Sequence, residues 1–398
     1  MSNNIIFAAA GNGKTYSICK KANECLSSSK KCILLISYTN EGVASLESEY
    51  RKQSGGVLDN RIVITSWYHF LLAELIKPYQ CMLQLKYKHY KTEFDYPIRE
   101  NFVSSFAFYA GEPERYFKQS HVQYFLNRAG DVVPDRASHL AITCNEHSNK
   151  AVISRLEGIY SHVFIDELQD YAGWDLEIIK LLFESSIDVL CVGDYKQATY
   201  RTNNSTKHSR YRDENIRQYF EQLSQRGLCS ISYANTTRRF NQSICDFINA
   251  IHSDANAIVC PDISRPDDSE KNNIGVYLLD SKYLAAYCKA YHPVILRYDK
   301  RVNVGFTQEC DVFNYGAAKG ATYDRVLIIP VGTALPFIKN GTYITANQTR
   351  AKFYVACTRA RHSVVIAVDN PSSFSSFIPC EIKVNNELLP AYKYSKNC

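Results

Sequence analysis

Asn4-Ile5-Ile6-Phe7-Ala8-Ala9-Ala10-Gly11-Asn12-Gly13-Lys14-Thr15 opens the chain's first apolar run. A short buried strand over residues 5–8 feeds a glycine loop, and a helix is expected from Lys14 to about Leu26. Gly11 and Gly13 let backbone N–H groups turn inward on a phosphate, and the positive end of the helix adds to that field. Lys14 is placed to reach the terminal phosphates of a nucleotide, and the Thr15 hydroxyl to hold Mg²⁺. Residues Ala8, Ala9, Ala10, Gly11, Asn12, Gly13, Lys14 and Thr15 form the candidate phosphate cradle. Its first position departs from the strict pattern, because Ala8 stands where a glycine is usual.

Further along, Tyr160-Ser161-His162-Val163-Phe164-Ile165 ends abruptly in Asp166-Glu167-Leu168-Gln169-Asp170. Val163 to Ile165 read as a strand buried on both faces, and ligands of open α/β sheets gather at the carboxyl ends of strands. Asp166 is the candidate Mg²⁺ carboxylate. Glu167 is the candidate base that orients and deprotonates an attacking water. A glycine loop after one strand and carboxylates after another imply a nucleoside triphosphatase.

Composition bounds the alternatives. The chain has 398 residues, 45% hydrophobic and 22% charged, with a net charge of +6. Such a length supports two or three domains with real cores. The charge permits a local basic groove without demonstrating one. Its 14 cysteines lie scattered without a CxxC, which argues against zinc or iron–sulfur sites and fits a reducing cytoplasm. No apolar run approaches the ~18–20 residues of a membrane helix, and no signal peptide is evident.

Asp166-Glu167-Leu168-Gln169-Asp170 resembles the DExQD box of UvrD/Rep-type superfamily 1 helicases, and other boxes follow in that family's order. Ser37-Tyr38-Thr39-Asn40 is similar to box Ia, where an aromatic stacks on a base. Thr65-Ser66-Trp67-Tyr68-His69-Phe70 resembles the next strand-contacting box, with Trp67 and Phe70 equally readable as core. Gly193-Asp194-Tyr195-Lys196-Gln197 looks like the GDxxQ box, with Gln197 at the γ-phosphate and Tyr200 at the base cleft. Thr202 and Asn203 stand where relatives carry a Trp-Arg pair. Thr237-Arg238-Arg239 resembles box IV, with Arg239 preferred over Arg238. Asn314 to Gly320 resembles box V, with Gly316 for the customary histidine. Tyr354 to Arg361 resembles box VI, with Arg359 as the γ-phosphate arginine.

The resemblance implies an α/β fold of two RecA-like P-loop domains with parallel sheets, a small insertion domain 1B and no 2B domain. Motor domain 1A is expected over residues 1–71 and 155–215, 1B over 72–154, and 2A over 216–398. Only residues 301–310 stand where relatives insert 2B. Strands of 2A are expected at residues 274–279, 294–297, 325–329 and 363–368. Polar stretches 201–214 and 262–273 read as surface loops, the first as a mobile element. The basic aromatic run Lys86 to Lys91 reads as a backbone contact or a solvated face.

The implied catalytic groups are Glu167, Gln197, Arg239 and Arg359, with ATP and Mg²⁺ as cofactors and Thr15 and Asp166 as metal ligands. The implied strand contacts are Tyr38, Thr39, Asn40, Ser66, His69 and Tyr200. Seven residues precede the phosphate loop, leaving no room for the glutamine motif that reads adenine in relatives, so ATP itself is an implication of the family. That family implies 3′→5′ translocation on single-stranded DNA, with RNA left open. Compact members resemble the helicase subunit of Gabija-type antiphage systems, which works beside an OLD-family nuclease. The competing expectation is a DNA-end-sensing ATPase that signals to such a nuclease without processive unwinding.

Overall fold

The apolar opening run forms strand β1 (Asn4–Ala8), and the helix after it, α1, spans Lys14–Leu26. The computed structural model describes residues 3–96, 103, 117–252, 256–261, 273–302, 304–305, 310–384 and 387–396. The chain divides into two compact units. The first comprises residues 1–6, 14–193 and 201–232; the second comprises 7–13, 194–200 and 233–398.

After α1, the first unit runs through β2 (Cys32–Ser37), α2 (Asn40–Gln53), β3 (Ile62–Ser66) and α3 (Trp67–Phe70). The hairpin β4 (Leu85–His89) and β5 (Thr92–Tyr96) comes next, then α4 (Val122–Phe125), α5 (Ala137–His147) and α6 (Ala151–Ile159). The acidic segment follows β6 (Tyr160–Ile165), and α7 (Trp174–Phe183), β7 (Asp188–Gly193), α8 (Ile216–Gln225) and β8 (Ser230–Ala234) complete the list. The sheet order is β3-β2-β6-β7-β1-β8, so β7 separates the strand before the phosphate loop from the strand before the carboxylates. β2, β3, β6 and β7 are parallel neighbours. Their apolar runs are buried, as Leu34, Leu35, Val163 and Ile165 at 0% exposure illustrate, which is the composition two-sided burial requires.

The second unit carries α9 (Gln242–Ile251), β9 (Gly275–Asp280), α10 (Leu284–Tyr291), β10 (Val294–Arg297), β11 (Val312–Asn314) and β12 (Tyr323–Ile329). It continues through α11 (Leu335–Asn340), α12 (Asn347–Cys357), β13 (Ala360–Val368), β14 (Phe377–Val384) and β15 (Glu387–Tyr394). Strand order is β11-β10-β12-β13-β9-β15-β14. The first five strands are parallel. β14 and β15 add an antiparallel hairpin on β9, beside the parallel strands expected from the sequence. It covers what would be the bare edge of β9, and its burial alternates as a one-sided strand's does. Both units are thus mixed α/β layers built on parallel sheets.

The stretch 201–214 corrects the expectation of a mobile surface loop. Thr202, Asn203 and Ser205 are buried at 3%, 3% and 7% exposure. Thr202 N donates to Asp170 O at 2.9 Å, and the Asn203 amide donates to Ala172 O at 2.6 Å. Gly173 makes this possible: its φ is +58°, and a Cβ there would stand 2.2 Å from Asn203 Oδ1. Polar residues were drawn inward because the turn after the acidic strand end has backbone groups to satisfy. Of the other segments singled out, residues 262–272 lie outside those described, as do 303 and 306–309 within the short 301–310 connection. Lys86 to Lys91 form β4 and its turn, a solvated strand rather than a helix. Trp67 and Phe70 are both core, at 0% exposure.

His139, on α5, stacks on Trp174 with ring centroids 3.7 Å apart and planes 6° from parallel. Burial, with Arg136 and Lys207 nearby, holds its imidazole down to about 4. A folded-state value below the unfolded one means that stability is full above pH 6.5 and is lost as pH falls toward 4. The urea midpoint should therefore drop between pH 7 and pH 4.5 by less in His139→Phe than in the wild type. Gly173→Ala should cost about 1–3 kcal/mol, seen as a lower thermal midpoint. Gly227→Ala, at φ +74° with nothing within 4 Å, should cost less; equal losses would remove the close-approach argument.

Candidate nucleotide site and strand-binding face

In the first unit, Lys14 and Thr15 open α1 and Asp166 follows β6. The Thr15 hydroxyl donates to Asp166 Oδ2 at 3.4 Å. The structure thus brings together the two residues assigned to Mg²⁺, from positions 151 residues apart. A hydroxyl and a carboxylate are hard oxygen donors suited to that ion, which takes few protein ligands and completes its octahedron with phosphates and water. Among the described residues there is no cluster of three or more His, Cys, Asp or Glu that would hold a metal alone.

Asp166 is 5% exposed and anchored at both ends. Its N–H donates to Ile36 O at 2.9 Å, and its Oδ1 accepts the Glu167 N–H at 2.8 Å. Glu167 has φ +54° and ψ +43°, a left-handed conformation that costs a side-chain-bearing residue about 1 kcal/mol or more. The neighbouring turn pays that cost: Gln169 Nε2 donates to Glu167 Oε2 at 2.5 Å, and Asp170 N donates to Glu167 O at 3.0 Å. The bent backbone turns the carboxylate away from the strand direction, and Gln169 fixes one of its oxygens.

The strand-binding candidates of the first unit sit together. β2 and β3 are parallel neighbours with Ser37 opposite Ser66, so the residues after each strand emerge on one sheet edge. Tyr38 is half-buried, while Thr39, Asn40 and His69 are exposed. Thr39 Oγ1 caps α2 by accepting Gly42 N at 3.0 Å, and Ser66 Oγ accepts His69 N at 3.3 Å. Both hydroxyls keep a proton to donate to a phosphate oxygen. Two helix N-termini with exposed polar groups on one edge make a reasonable backbone-binding surface.

The second unit gathers a different set. Ala9 N donates to Ala234 O, Arg238 N to Gly11 O, and Asn12 Nδ2 to Thr236 O, at 2.9, 3.0 and 2.8 Å. Gly11 has φ +77°, and a Cβ there would come 2.5 Å from Arg239 Cβ, so only glycine admits this approach. Arg239 Nη1 donates to Thr358 O at 3.0 Å; Arg238 has an exposed side chain. Arg359, 1% exposed, donates through Nη2 to Gln197 Oε1 at 3.1 Å and through Nε to Val355 O at 3.0 Å. Gln197 Nε2 in turn donates to Asp194 Oδ2 at 2.7 Å, an oxygen that also receives Tyr354 Oη at 3.3 Å. Burial and the adjacent Asp194 push the Tyr354 phenol well above its ordinary value, so it stays a donor.

Tyr200 is 44% exposed and lies over Gly316, where a Cβ would come 2.9 Å from its hydroxyl. The space of the customary box V histidine is thus used by a phenol. Sequence reasoning missed Asp194, Tyr354 and Tyr68 as organisers, because only the folded neighbourhood reveals their partners. Asp194→Ala orphans the Gln197 amide and the Tyr354 hydroxyl. It should cost about 1–3 kcal/mol of stability, measured by urea denaturation, and Tyr354→Phe should cost less.

Residues 73–215, less than half of the chain, match the family model described as UvrD/REP helicase N-terminal domain. That span holds the acidic strand end and the GDxxQ box, and the phosphate loop precedes it. No curated protein matches the chain. Solved structures that match include arterivirus nonstructural protein 10 (helicase), at 13% identity and TM-score 0.43, over 94% of this chain and 62% of that one. The PRRSV helicase matches at 15% identity and TM-score 0.42, over 98% and 59% respectively. The arterivirus protein in complex with DNA matches at 12% identity and TM-score 0.41, over 94% and 62%. The chain therefore spans less than two thirds of the length of these helicases.

Proposed function

We propose that this chain is an ATP-hydrolysing motor of the UvrD/Rep type that moves on single-stranded DNA. The observation that carries the reading is the 3.4 Å contact between Thr15 Oγ1 and Asp166 Oδ2, which unites the hydroxyl of a phosphate loop with the carboxylate of an acidic strand end. The UvrD/REP pattern over residues 73–215 supports it from an independent direction.

In this reading Lys14 binds the terminal phosphates, and Thr15 and Asp166 hold Mg²⁺. The ion, when bound, neutralises charge developing on the β- and γ-phosphate oxygens. Glu167 accepts the proton of the attacking water, its carboxylate aimed by the left-handed turn and steadied by Gln169. Gln197, Arg239 and Arg359 answer to the γ-phosphate. Tyr38, Thr39, Asn40, Ser66, His69 and Tyr200 contact the strand, by stacking and through its phosphates, without regard to sequence.

The assignment of residues 1–71 and 155–215 to 1A, 72–154 to 1B and 216–398 to 2A belongs to the same reading, as does the lack of 2B. Movement 3′→5′, a role in antiviral defence and work beside an OLD-family nuclease follow from the resemblance. A cytoplasmic location agrees with the described cysteines, all unpaired. Among the described residues no helix is long and apolar enough to cross a membrane.

A second reading, an ATPase that senses DNA ends and signals to a nuclease, is favoured by one observation. Thr202 and Asn203 stand where a stacking tryptophan and an arginine are usual, and both are buried, so they offer no platform for a base. Strand separation by the isolated chain on a 3′-tailed duplex would decide for the motor.

Lys14→Ala should abolish ATP turnover, and an unchanged rate would overturn the phosphate-loop assignment. Glu167→Gln should retain nucleotide binding, measured by titration calorimetry, while hydrolysis stops. Arg359→Ala should slow turnover by ~10³-fold or more if the arginine stabilises the transition state.

A further inference from the structure

Three backbone and side-chain bonds join the segment after the GDxxQ box to the turn that follows Glu167. Thr202 N donates to Asp170 O at 2.9 Å, Thr202 Oγ1 accepts Ala172 N at 2.9 Å, and Asn203 Nδ2 donates to Ala172 O at 2.6 Å. Asn203 also donates to Asp175 Oδ2 at 3.0 Å. The other oxygen of Asp175 accepts Trp67 Nε1 at 2.9 Å and the Ser138 hydroxyl. Asp175 is a buried carboxylate among neutral donors; burial raises its pKa and these hydrogen bonds oppose the rise. The turn bearing the candidate base is therefore held by residues 202 and 203 as well as by its own bonds.

The Thr202 carbonyl makes a further bond, toward the candidate strand-binding face. Tyr68 Oη donates to Thr202 O at 2.6 Å. The Tyr68 ring lies 5.8 Å from that of Tyr38, with the two planes tilted by 56°. A phenol has a single proton. Tyr68 gives its proton to Thr202, and its ring meets Tyr38. An unbroken line of groups runs from Tyr38 through Tyr68 and Thr202 to Asp170 and so to the Glu167 turn, all within the first unit.

We propose that Tyr68 is a positioning residue that couples occupancy of the Tyr38 face to hydrolysis at Glu167. Sequence placed Tyr68 beside the strand-binding residues without assigning it a role. A base stacking on Tyr38 shifts that ring against Tyr68 and so alters how Tyr68 holds Thr202 and the turn beneath it. The coupling is a physical chain with an intact and a broken arrangement, which both ends bias. It rests on the function proposed above and specifies how the strand regulates that site. By linkage, nucleotide must change strand affinity by the same factor as strand changes nucleotide affinity.

The test uses the full chain and Tyr68→Phe, which keeps the ring and removes only the donor. Labelled oligothymidylate is titrated by anisotropy with and without a non-hydrolysable ATP analogue, and ATPase rates are measured with and without the oligomer. The wild type should show an affinity ratio of about fivefold or more between the two nucleotide conditions and a strand-stimulated ATPase. In Tyr68→Phe the ratio should shrink toward one and stimulation should fall at least fivefold, with unstimulated turnover and strand affinity without nucleotide within twofold of wild type. Thr202→Val, which removes the acceptor for Ala172 N, should lower the same ratio. Full stimulation and an unchanged ratio in both variants would overturn the coupling and leave the motor reading standing. Loss of strand binding itself in Tyr68→Phe would make Tyr68 a contact and also overturn it. A wild-type chain that hydrolyses no ATP would overturn both readings.

Discussion

A carboxylate-bearing turn at the end of a strand buried on both faces cannot support itself. β6 spends its backbone on β2 and β7, and the residues after Ile165 must then present Asp166 and Glu167 while their own N–H and C=O groups find partners. Here the partners come from Ile36, from within the turn, and from Thr202 and Asn203. The left-handed Glu167 exists only because those contacts over-determine it. Remove the clamp and the candidate base loses its aim.

The clamp also accounts for the residue types at positions 202 and 203. An exposed tryptophan and arginine at positions 202 and 203 could not make the same bonds, since a small hydroxyl and a primary amide are what fit beside Gly173. In place of a stacking platform the chain has a polar lock on the acidic turn. Tyr38 and Tyr200 are partly exposed aromatics, one in each unit. A similar exchange occurs at Gly316, where the Tyr200 phenol fills the room a histidine would need.

In the second unit the same economy applies to charge. Arg359 is almost wholly buried, and its donors are met by Val355, Ala321, Thr358 and Gln197. Asp194 collects Gln197, Tyr354 and the Lys196 N–H. Buried polar groups are tolerable when each has its partner, and a network of this kind sets the position of its members closely.

The sequence by itself determined most of the parallel strands, since short apolar runs ending in glycine or carboxylate have few other readings, but not β8, β11 or the β14–β15 hairpin. Residues 14–26, 163–165, 294–297 and 325–329 lie where periodicity and turn chemistry place them. The composition of the phosphate loop and of the acidic strand end was legible for the same reason: local chemistry needs particular residues at particular spacing. Tertiary structure alone decided the rest. That Thr202 and Asn203 turn inward, that Trp67 is core, that Asp175 is a buried hub and that Tyr68 links two surfaces all depend on contacts between residues 28 to 134 positions apart. A polar stretch looks solvated in sequence because its partners are unseen; it is buried here because the backbone of the acidic turn needed donors and acceptors that no nearby residue supplies.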